Sequence, residues 1–199
     1  MMERTPIWFC QWGFCSSAPL LIQSVESLIV SDLTYTTYYL QMLSPGQLRA
    51  KPLPAELSVI ECQHKQFQLN RFLYQLVGEP WLWTDKLVWT DEQWQALINS
   101  DQHRTWVAYS KGAIAGYYEL QMSAEGDVEI LYFGLAQDFF GQGFGGPLLS
   151  HALASAWSWP GVKRVWVHTC TLDHPSALSN YKARGLEVYR EQVTTESAN

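Results

Sequence analysis

Residues 127–146 read DVEILYFGLAQDFFGQGFGG and carry the strongest structural signal in the chain. Residues 128–135 are apolar and rich in β-branched and aromatic side chains, which predicts a largely buried strand. Four glycines follow within six residues, at Gly141, Gly143, Gly145 and Gly146. Apolar residues then recur at helical spacing over 148–157, so the segment predicts a strand, a glycine loop and a helix in that order.

A glycine loop between a strand and a helix can hold a phosphate group. Glycine lets the backbone approach a ligand closely, and the free N–H groups of the first helical turn point toward it. The order here is G-x-G-x-G-G, with no Lys-Ser or Lys-Thr pair after the glycines. It therefore matches neither the dinucleotide-binding Rossmann motif nor the P-loop.

The loop resembles the pyrophosphate loop of the GNAT acetyltransferase superfamily, whose pattern is Q/R-x-x-G-x-G/A. Residues 140–145 read FGQGFG, so Phe140 stands where the family has a polar residue. This departure removes one side-chain contact to a phosphate but leaves the cradle of backbone N–H groups. The resemblance implies that this loop, including Gln142 and Phe144, binds acetyl-CoA as a co-substrate.

Composition excludes several classes of protein. The chain has 199 residues, enough for one domain with a hydrophobic core and an extension. Its net charge of −6 argues against nucleic acid as the main partner and is compatible with a cationic substrate. Ten tryptophans favour an aromatic core or an aromatic-lined cavity.

Cysteine usage and hydropathy indicate the compartment. The four cysteines form no C-x-x-C pair and lack the spacing of metal ligands, which favours a reducing compartment and no metal site. No stretch approaches the roughly 20 apolar residues of a membrane span, and the apolar patch near residue 20 has no basic leader before it. We therefore expect a cytoplasmic protein without a membrane partner.

Turn signals divide the chain into predicted elements. Residues 1–32 are an extension of unclear order, and 33–56 give a leading strand and a connection. A short strand at 57–62 is followed by a helix at 66–77 and by a second helix that begins with a capping box at 90–93. Strands at 104–109 and 113–122 are joined by a tight turn, and the central strand follows. After the helix behind the glycine loop come a strand at 165–170, a helix that starts near His174, a short strand at 186–190 and a polar tail at 192–199.

This order resembles that of the GNAT fold over about residues 57–191. The last helix is also similar to the family's Asn-x-x-Ala-x-x-x-Tyr-x-x-x-Gly-Phe motif, with Ala177, Tyr181 and Gly185 in register. His174 and Leu186 replace the Asn and the Phe. The resemblance implies an α/β (α+β) fold, whose mixed, mostly antiparallel sheet opens in the middle and is flanked by about four helices.

The resemblance also implies where the pantetheine arm of the co-substrate lies. In GNAT proteins it enters the gap between the central strand and the next strand and bonds to freed backbone groups. Phe133, Gly134 and Leu135 would supply those groups, and Gly134 would mark the bulge that opens the gap. His174 either contacts the co-substrate or caps the last helix.

Two carboxylates are candidates for the general base. Glu129 lies in an otherwise apolar strand, where burial raises the pKa of a carboxyl group. It also stands fourteen residues before Gly143, the spacing of the catalytic Glu in the histone-type GNAT enzymes that this loop resembles. Glu119, on the preceding strand, is the rival base or an acceptor-binding residue. The alternative for Glu129 is a surface position or an ion pair.

Tyr181 is the candidate general acid. The alternative is that it is a core tyrosine on one helical face with Ala177 and Leu178.

His168 and Cys170 alternate along a strand, which is an unfavourable geometry for a Cys–His nucleophile. His168 is therefore assigned to the acceptor site. Trp81 and Trp83 belong to a cluster that either packs in the core or binds an apolar or cationic acceptor.

The sequence thus predicts an acetyl-CoA-dependent N-acetyltransferase in which an amine attacks the thioester directly in a ternary complex. The acceptor is a small-molecule amine or a peptide amine. Its identity, the acyl chain preference and the oligomeric state, including a homodimer, are left open. One alternative is a non-catalytic acyl-CoA-binding or regulatory module, which the change to Phe140 favours. A transferase that depends on Cys170 is the other alternative.

Overall fold

Seven strands and four helices build the protein in the computed structural model, which describes residues 33–196. The predicted extension at 1–32 and the end of the predicted tail at 197–199 lie outside the described residues. The strands are β1 (Leu33–Met42), β2 (Ser58–Glu61), β3 (His103–Ser110), β4 (Ala113–Met122), β5 (Asp127–Leu135), β6 (Arg164–Cys170) and β7 (Glu187–Glu196). The helices are α1 (Phe67–Gly78), α2 (Asp91–Ile98), α3 (Gly145–Trp157) and α4 (Ala177–Ala183).

The strands form one sheet in the order β2-β3-β4-β5-β6-β1-β7. Neighbouring strands in the described chain run antiparallel, except for β5 and β6, which run parallel. The parallel pair is in register only from Asp127 opposite Arg164 to Glu129 opposite Trp166. Beyond those residues the two strands separate. The predicted mixed sheet with an opening in its middle and four helices is therefore confirmed.

β1 lies inside the sheet, between β6 and β7. It pairs with β6 from Thr37 opposite Cys170 to Met42 opposite Val165, and with β7 along its other edge. The segment that follows β1 is thereby carried past α3 and α4. Arg49 donates its backbone N–H to Arg184 O at 3.0 Å. The sequence alone does not indicate that the leading strand enters the sheet at this place.

Turn and cap chemistry follows the sequence closely. Lys111 and Gly112 both have positive φ, 51° and 83°, as a two-residue hairpin turn between β3 and β4 requires. The predicted capping box is present, because Thr90 Oγ1 accepts from Gln93 N and Gln93 Oε1 accepts from Thr90 N. Gly185, at φ 101°, ends α4 in a left-handed conformation.

Three local features differ from the prediction. α4 begins at Ala177, after a turn that contains His174, rather than at His174 itself. β7 continues to Glu196 because it pairs along the full length of β1, so residues 192–196 are strand rather than tail. The bulge in β5 lies at Leu131, where the pairing with β4 shifts, and not at Gly134. A Cβ atom on Gly134 would lie 2.4 Å from Val77 Cγ1, so this glycine admits α1 to the sheet.

Helices cover both faces of the sheet. Tyr117 and Tyr118 are neighbours in β4 and point to opposite faces of the sheet. Tyr117 packs with Leu73 and Val77 of α1. Tyr118 forms hydrogen bonds with His151 and Ser155 of α3. The larger core lies under α3, and the smaller clusters lie under α1 and α2. Within residues 33–196, no helix has the length and apolarity needed to cross a membrane.

Candidate active site

A cleft of about 1190 Å³ opens where β5 and β6 separate. Its floor is formed by residues 130–135 of β5 and 167–170 of β6. The glycine loop and the first turn of α3 form one end, and α4 forms a side wall. Because the pairing with β6 stops at Glu129, the edge of β5 that faces the cleft keeps free backbone groups between Ile130 and Leu135.

The predicted cofactor residues mostly meet in this cleft. Those that line it are Phe133, Gly134, Leu135, Gly141, Gly143, Phe144, Gly145, Gly146 and His174. Gln142 does not line it, because its side-chain amide turns away to donate to Asp138 O at 2.9 Å.

The glycine loop presents its backbone to the cleft. Gly141 and Gly143 have φ of 73° and 80°, which side chains rarely adopt, and a Cβ atom on either would meet nothing within 4 Å. α3 begins at Gly145, so the N–H groups of Gly145 and Gly146 have no partner within the helix, while Pro147 has no N–H and that of Leu148 donates to Phe144 O. The loop therefore offers backbone donors and the positive end of a helix dipole to an anion.

Two cationic side chains that the sequence does not single out stand beside this helix end. Arg184 and Lys51 both line the cleft next to Gly146. Asn180, also from α4, donates its side-chain N–H to Gly145 O at 3.2 Å and so ties α4 to the start of α3. The sequence could have indicated Arg184, because it directly precedes Gly185 of the last-helix motif. Lys51 could not be found in this way, because it reaches the site only through the placement of β1 in the sheet.

Glu129 lies at the last paired position of β5 and β6, just before the part of β5 that lines the cleft. Its side chain is 19% exposed, and its Oε1 lies 3.8 Å from His168 Nε2. Burial raises the pKa of Glu129 to about 7, and the nearby Lys86 ammonium opposes that shift. Glu129 does not itself line the cleft, whereas His168 does. His168 is therefore a cleft residue that lies next to this carboxylate.

His168 and Cys170 line the same part of the cleft. The His168 side chain is 52% exposed, but partial desolvation of its ring in the cleft lowers the imidazole pKa below its ordinary value, against the opposing effect of Asp173 and Asp85. Burial also raises the pKa of the Cys170 thiol, which keeps it protonated and weakly nucleophilic. This environment argues against the alternative of a Cys170 nucleophile.

Tyr181 lines the cleft from α4 and is only 6% exposed. Its ring packs edge-on against Phe133 of β5, with centroids 6.1 Å apart. Burial raises the pKa of the phenol, and the Asp173 carboxylate raises it further. Tyr181 is thus both a core side chain and a protonated O–H group at the cleft.

Glu119 lies outside the cleft, in the sheet interior. It is fully buried, and both carboxylate oxygens are engaged: Oε1 accepts from Asn70 Nδ2 at 2.8 Å, and Oε2 lies 2.7 Å from His103 Nε2. A carboxylate with both oxygens committed and no solvent access cannot take a proton from an external amine. The structure therefore places Glu119 in a buried hydrogen-bonded contact with Asn70 and His103 rather than in the predicted acceptor site.

The aromatic residues fall into two groups along the cleft. Trp81, Phe140 and His174 form a three-ring cluster with centroid separations of 5.2 to 5.8 Å. His174 Nδ1 also accepts from Ser176 N at 3.0 Å, so it shapes the turn before α4 while it faces the cleft. Trp83 packs on Tyr74 and Tyr132, and all three line the cleft.

A cation already contacts the aromatic surface near Glu129. Lys86 Nζ lies 4.2 Å from the Trp89 ring centroid and 5.0 Å from that of Tyr132. Burial lowers the pKa of Lys86, and the Glu119, Asp85 and Glu129 carboxylates oppose that shift. Lys86 and Trp89 do not line the cleft, whereas the Tyr132 ring that Lys86 contacts does.

The sequence and the fold are both similar to those of known acetyltransferases. The profile of the acetyltransferase (GNAT) family matches residues 70–186. No curated protein matches the sequence. Among solved structures, a GCN5-related N-acetyltransferase from Kribbella flavida is 16% identical with a TM-score of 0.60, and the alignment covers 85% of this chain and 60% of that chain.

Two further structures show the same fold. A GCN5-related N-acetyltransferase from Sphaerobacter thermophilus is 17% identical with a TM-score of 0.63, over 82% of this chain and 51% of that chain. An aminoglycoside acetyltransferase from an uncultured soil metagenomic sample is 18% identical with a TM-score of 0.54, over 65% of this chain and 87% of that chain. The chain thus spans less than two thirds of the length of the Kribbella and Sphaerobacter proteins.

Proposed function

Because this chain belongs to the GNAT acetyltransferase family, we propose that it transfers an acetyl group from acetyl-CoA to a primary amine. The observation that carries the proposal is the opening between β5 and β6, which leads from the glycine loop to Glu129. An extended pantetheine arm fits such an opening, since β5 presents a free edge there. The acceptor is a small-molecule or peptide amine.

The residues present fit the co-substrate. Gly141 and Gly143 leave the loop backbone open, and the first turn of α3 supplies further N–H donors to the diphosphate. Phe133, Gly134 and Leu135 supply main-chain partners to the arm. When bound, acetyl-CoA brings an activated thioester, so that no covalent enzyme intermediate is needed.

Acyl transfer requires that the amine lose a proton, because an alkyl amine has a pKa of about 10.4 in water. Glu129, whose pKa is raised to about 7, is suited to accept it near neutral pH. His168 lines the cleft and lies 3.8 Å from Glu129, so the proton passes from the amine to the imidazole and then to the carboxylate through one water or after a small turn of the ring. The amine nitrogen then forms a bond to the acyl carbon as the C–S bond of the thioester breaks.

The departing thiolate needs a proton in turn. Tyr181 faces the cleft with a phenol that is protonated at neutral pH, although its raised pKa makes it a weaker acid that gives up the proton only as negative charge develops on the sulfur. The Trp83 and Tyr132 rings offer a wall for the acceptor, and the neighbouring carboxylates favour a cationic amine. Binding of both substrates in one cleft corresponds to a ternary complex without an acyl-enzyme stage.

The proposal is tested by incubating the full chain with acetyl-CoA and a panel of primary amines while free thiol is measured. We expect thiol release that depends on the amine, with a matching mass increase of the amine product. Glu129→Gln serves as the inactive reference. Saturable binding of acetyl-CoA without turnover on any amine would instead support the non-catalytic acyl-CoA-binding module.

A further inference from the structure

Arg184 carries a buried positive charge that has no counter-ion in the part of the chain that the structure describes. The residue is 8% exposed, and its Nε is buried without a hydrogen-bond partner. Among residues 33–196, no carboxylate lies within ion-pair distance of its guanidinium. An unpaired buried charge costs free energy, so a side chain held this way favours binding of an anion.

The guanidinium is directed at the first turn of α3. Arg184 Nη1 lies 2.7 Å from the point where a Cβ atom on Gly146 would lie, and Arg184 lines the cleft there. Any side chain at position 146 would collide with it. The absence of a side chain at Gly146 therefore brings a buried cation next to the unpaired N–H groups of a helix N-terminus, and both attract the same kind of ligand.

Lys51 brings a second cation to the same place. Its Cδ lies 3.2 Å from the same point beside Gly146, and it too lines the cleft. The backbone of Lys51 is fixed to α3, because its N–H donates to Ser150 Oγ at 2.9 Å while that hydroxyl donates to Gly146 O at 2.9 Å. The backbone of Lys51 is thereby anchored beside α3, and its exposed side chain can turn toward a ligand.

We propose that Arg184 and Lys51 form a phosphate site for the coenzyme A thioester at the N-terminus of α3. The proposal rests on the proposed function and extends it to residues outside the glycine loop. A guanidinium offers several N–H donors to phosphate oxygens, and such charge-assisted bonds are stronger than neutral ones. The site supplies the side-chain charge that Phe140 cannot.

The chemistry of the site also selects the donor. Two cations and a helix N-terminus favour a ligand with several phosphate charges, as in free coenzyme A with its diphosphate and 3′-phosphate. A thioester on pantetheine has no phosphate, and one on a carrier protein has a single phosphodiester. We therefore expect turnover with acetyl-CoA and none with S-acetylpantetheine at the same concentration.

The test measures binding of coenzyme A by calorimetry to the full chain and to Arg184→Met and Lys51→Met. Lys182→Met is the matched control, because it removes an exposed charge from the last turn of α4, two residues before Arg184, at a position that does not line the cleft. Each cleft variant should raise Kd roughly 10- to 100-fold, the effect of losing a charged hydrogen bond, and the control should not. Arg184→Lys should recover part of the loss.

Dephospho-coenzyme A separates the two sources of phosphate. If the loss on Arg184→Met persists with this ligand, the site holds the diphosphate, and if it disappears, the site holds the 3′-phosphate. The Tm of the ligand-free protein should not fall in Arg184→Met, because an unpaired buried charge is removed. Wild-type protein that binds no coenzyme A would overturn the proposed function itself. Wild-type protein that binds it while either cleft variant binds as tightly as the control would overturn this site alone.

Discussion

Glu129 Oε1 lies 3.8 Å from His168 Nε2, at the point where β5 and β6 part. The two residues come from different strands, and their only shared feature in the sequence is a place in an apolar run. Burial moves their pKa values in opposite directions, to about 7 for Glu129 and below the ordinary value for His168. The 3.8 Å separation exceeds a direct hydrogen bond, so under the proposed function a proton passes between them through one water or after a small turn of the imidazole.

Glu129→Gln removes the base and keeps the shape of the side chain. We expect kcat to fall by roughly 10²- to 10⁴-fold, the usual contribution of a positioned base. Thiol release under saturating substrates measures the effect. Glu125→Gln is the control, because Glu125 is exposed in the turn between β4 and β5. An unchanged kcat in Glu129→Gln would exclude this residue as the base.

The pH dependence of the wild-type protein follows from the same carboxyl group. A base must be deprotonated, so kcat/KM should rise as the pH increases through about 7, and Glu129→Gln should lose this rise.

The same carboxyl group makes the folded state less stable as the pH rises. A carboxyl pKa raised by folding favours the folded state when protonated, and that contribution is lost as the pH rises through about 7. Glu129→Gln should thus have a higher Tm than the wild type at pH values well above this range.

His168 should act as one unit with Glu129. We expect His168→Gln to lower kcat about tenfold or more, and the double variant with Glu129→Gln to be hardly slower than Glu129→Gln alone. A double-mutant cycle on kcat measures this coupling. His64→Gln is the control, because His64 is exposed and does not line the cleft. Fully additive losses would show that His168 does not carry the proton to Glu129.

The local parts of the site could be predicted from the sequence. The glycine loop, the capping box at Thr90 and the turn at Lys111 depend on residues that are neighbours in the chain. Backbone conformation at each is decided by local steric and hydrogen-bonding preferences. The opening between β5 and β6 followed from the resemblance to a known family and not from the residues themselves.

The long-range parts could not be predicted. Lys51 meets Arg184 only because β1 inserts between β6 and β7 and so carries its following segment past α3. Glu119 and Glu129 look alike in the sequence, as single acids in apolar strands. Their difference comes from His103 and Asn70, which engage Glu119 in the interior, while β5 parts from β6 just after Glu129.

Tyr181→Phe removes one hydroxyl from the cleft and leaves the packing on Phe133. We expect kcat to fall by about tenfold or more, because the thiolate loses its proton donor, with the Kd for coenzyme A nearly unchanged. The separation of kcat from Kd is the readout, since a purely structural tyrosine would change both or neither. Tyr117→Phe is the control: its hydroxyl is buried without a partner, so its loss should not lower Tm or kcat.

Gly143→Ala should weaken the binding of coenzyme A by about tenfold or more, because a Cβ atom stands between the backbone and a phosphate. Gly161→Ala is a closely matched control. Its φ of 81° is within one degree of that of Gly143, and a Cβ atom on either glycine would have no neighbour within 4 Å. Gly161, however, does not line the cleft. Both variants should lose similar stability, and only Gly143→Ala should lose affinity. Equal affinity in the two variants would refute the assignment of the loop.

Glu119→Gln distinguishes the buried carboxylate from the catalytic one. The amide can still accept from Asn70, but it breaks the 2.7 Å contact of a carboxylate with His103. We expect the free energy of unfolding to fall by roughly 1–3 kcal/mol, the cost of a poorly paired buried polar group. The kcat per folded molecule should remain within about twofold of the wild type, since Glu119 has no access to the cleft. Glu129→Gln should behave in the opposite way, with a large loss of kcat and no loss of stability at high pH. A Glu119→Gln variant that is stable but inactive would instead make Glu119 the base.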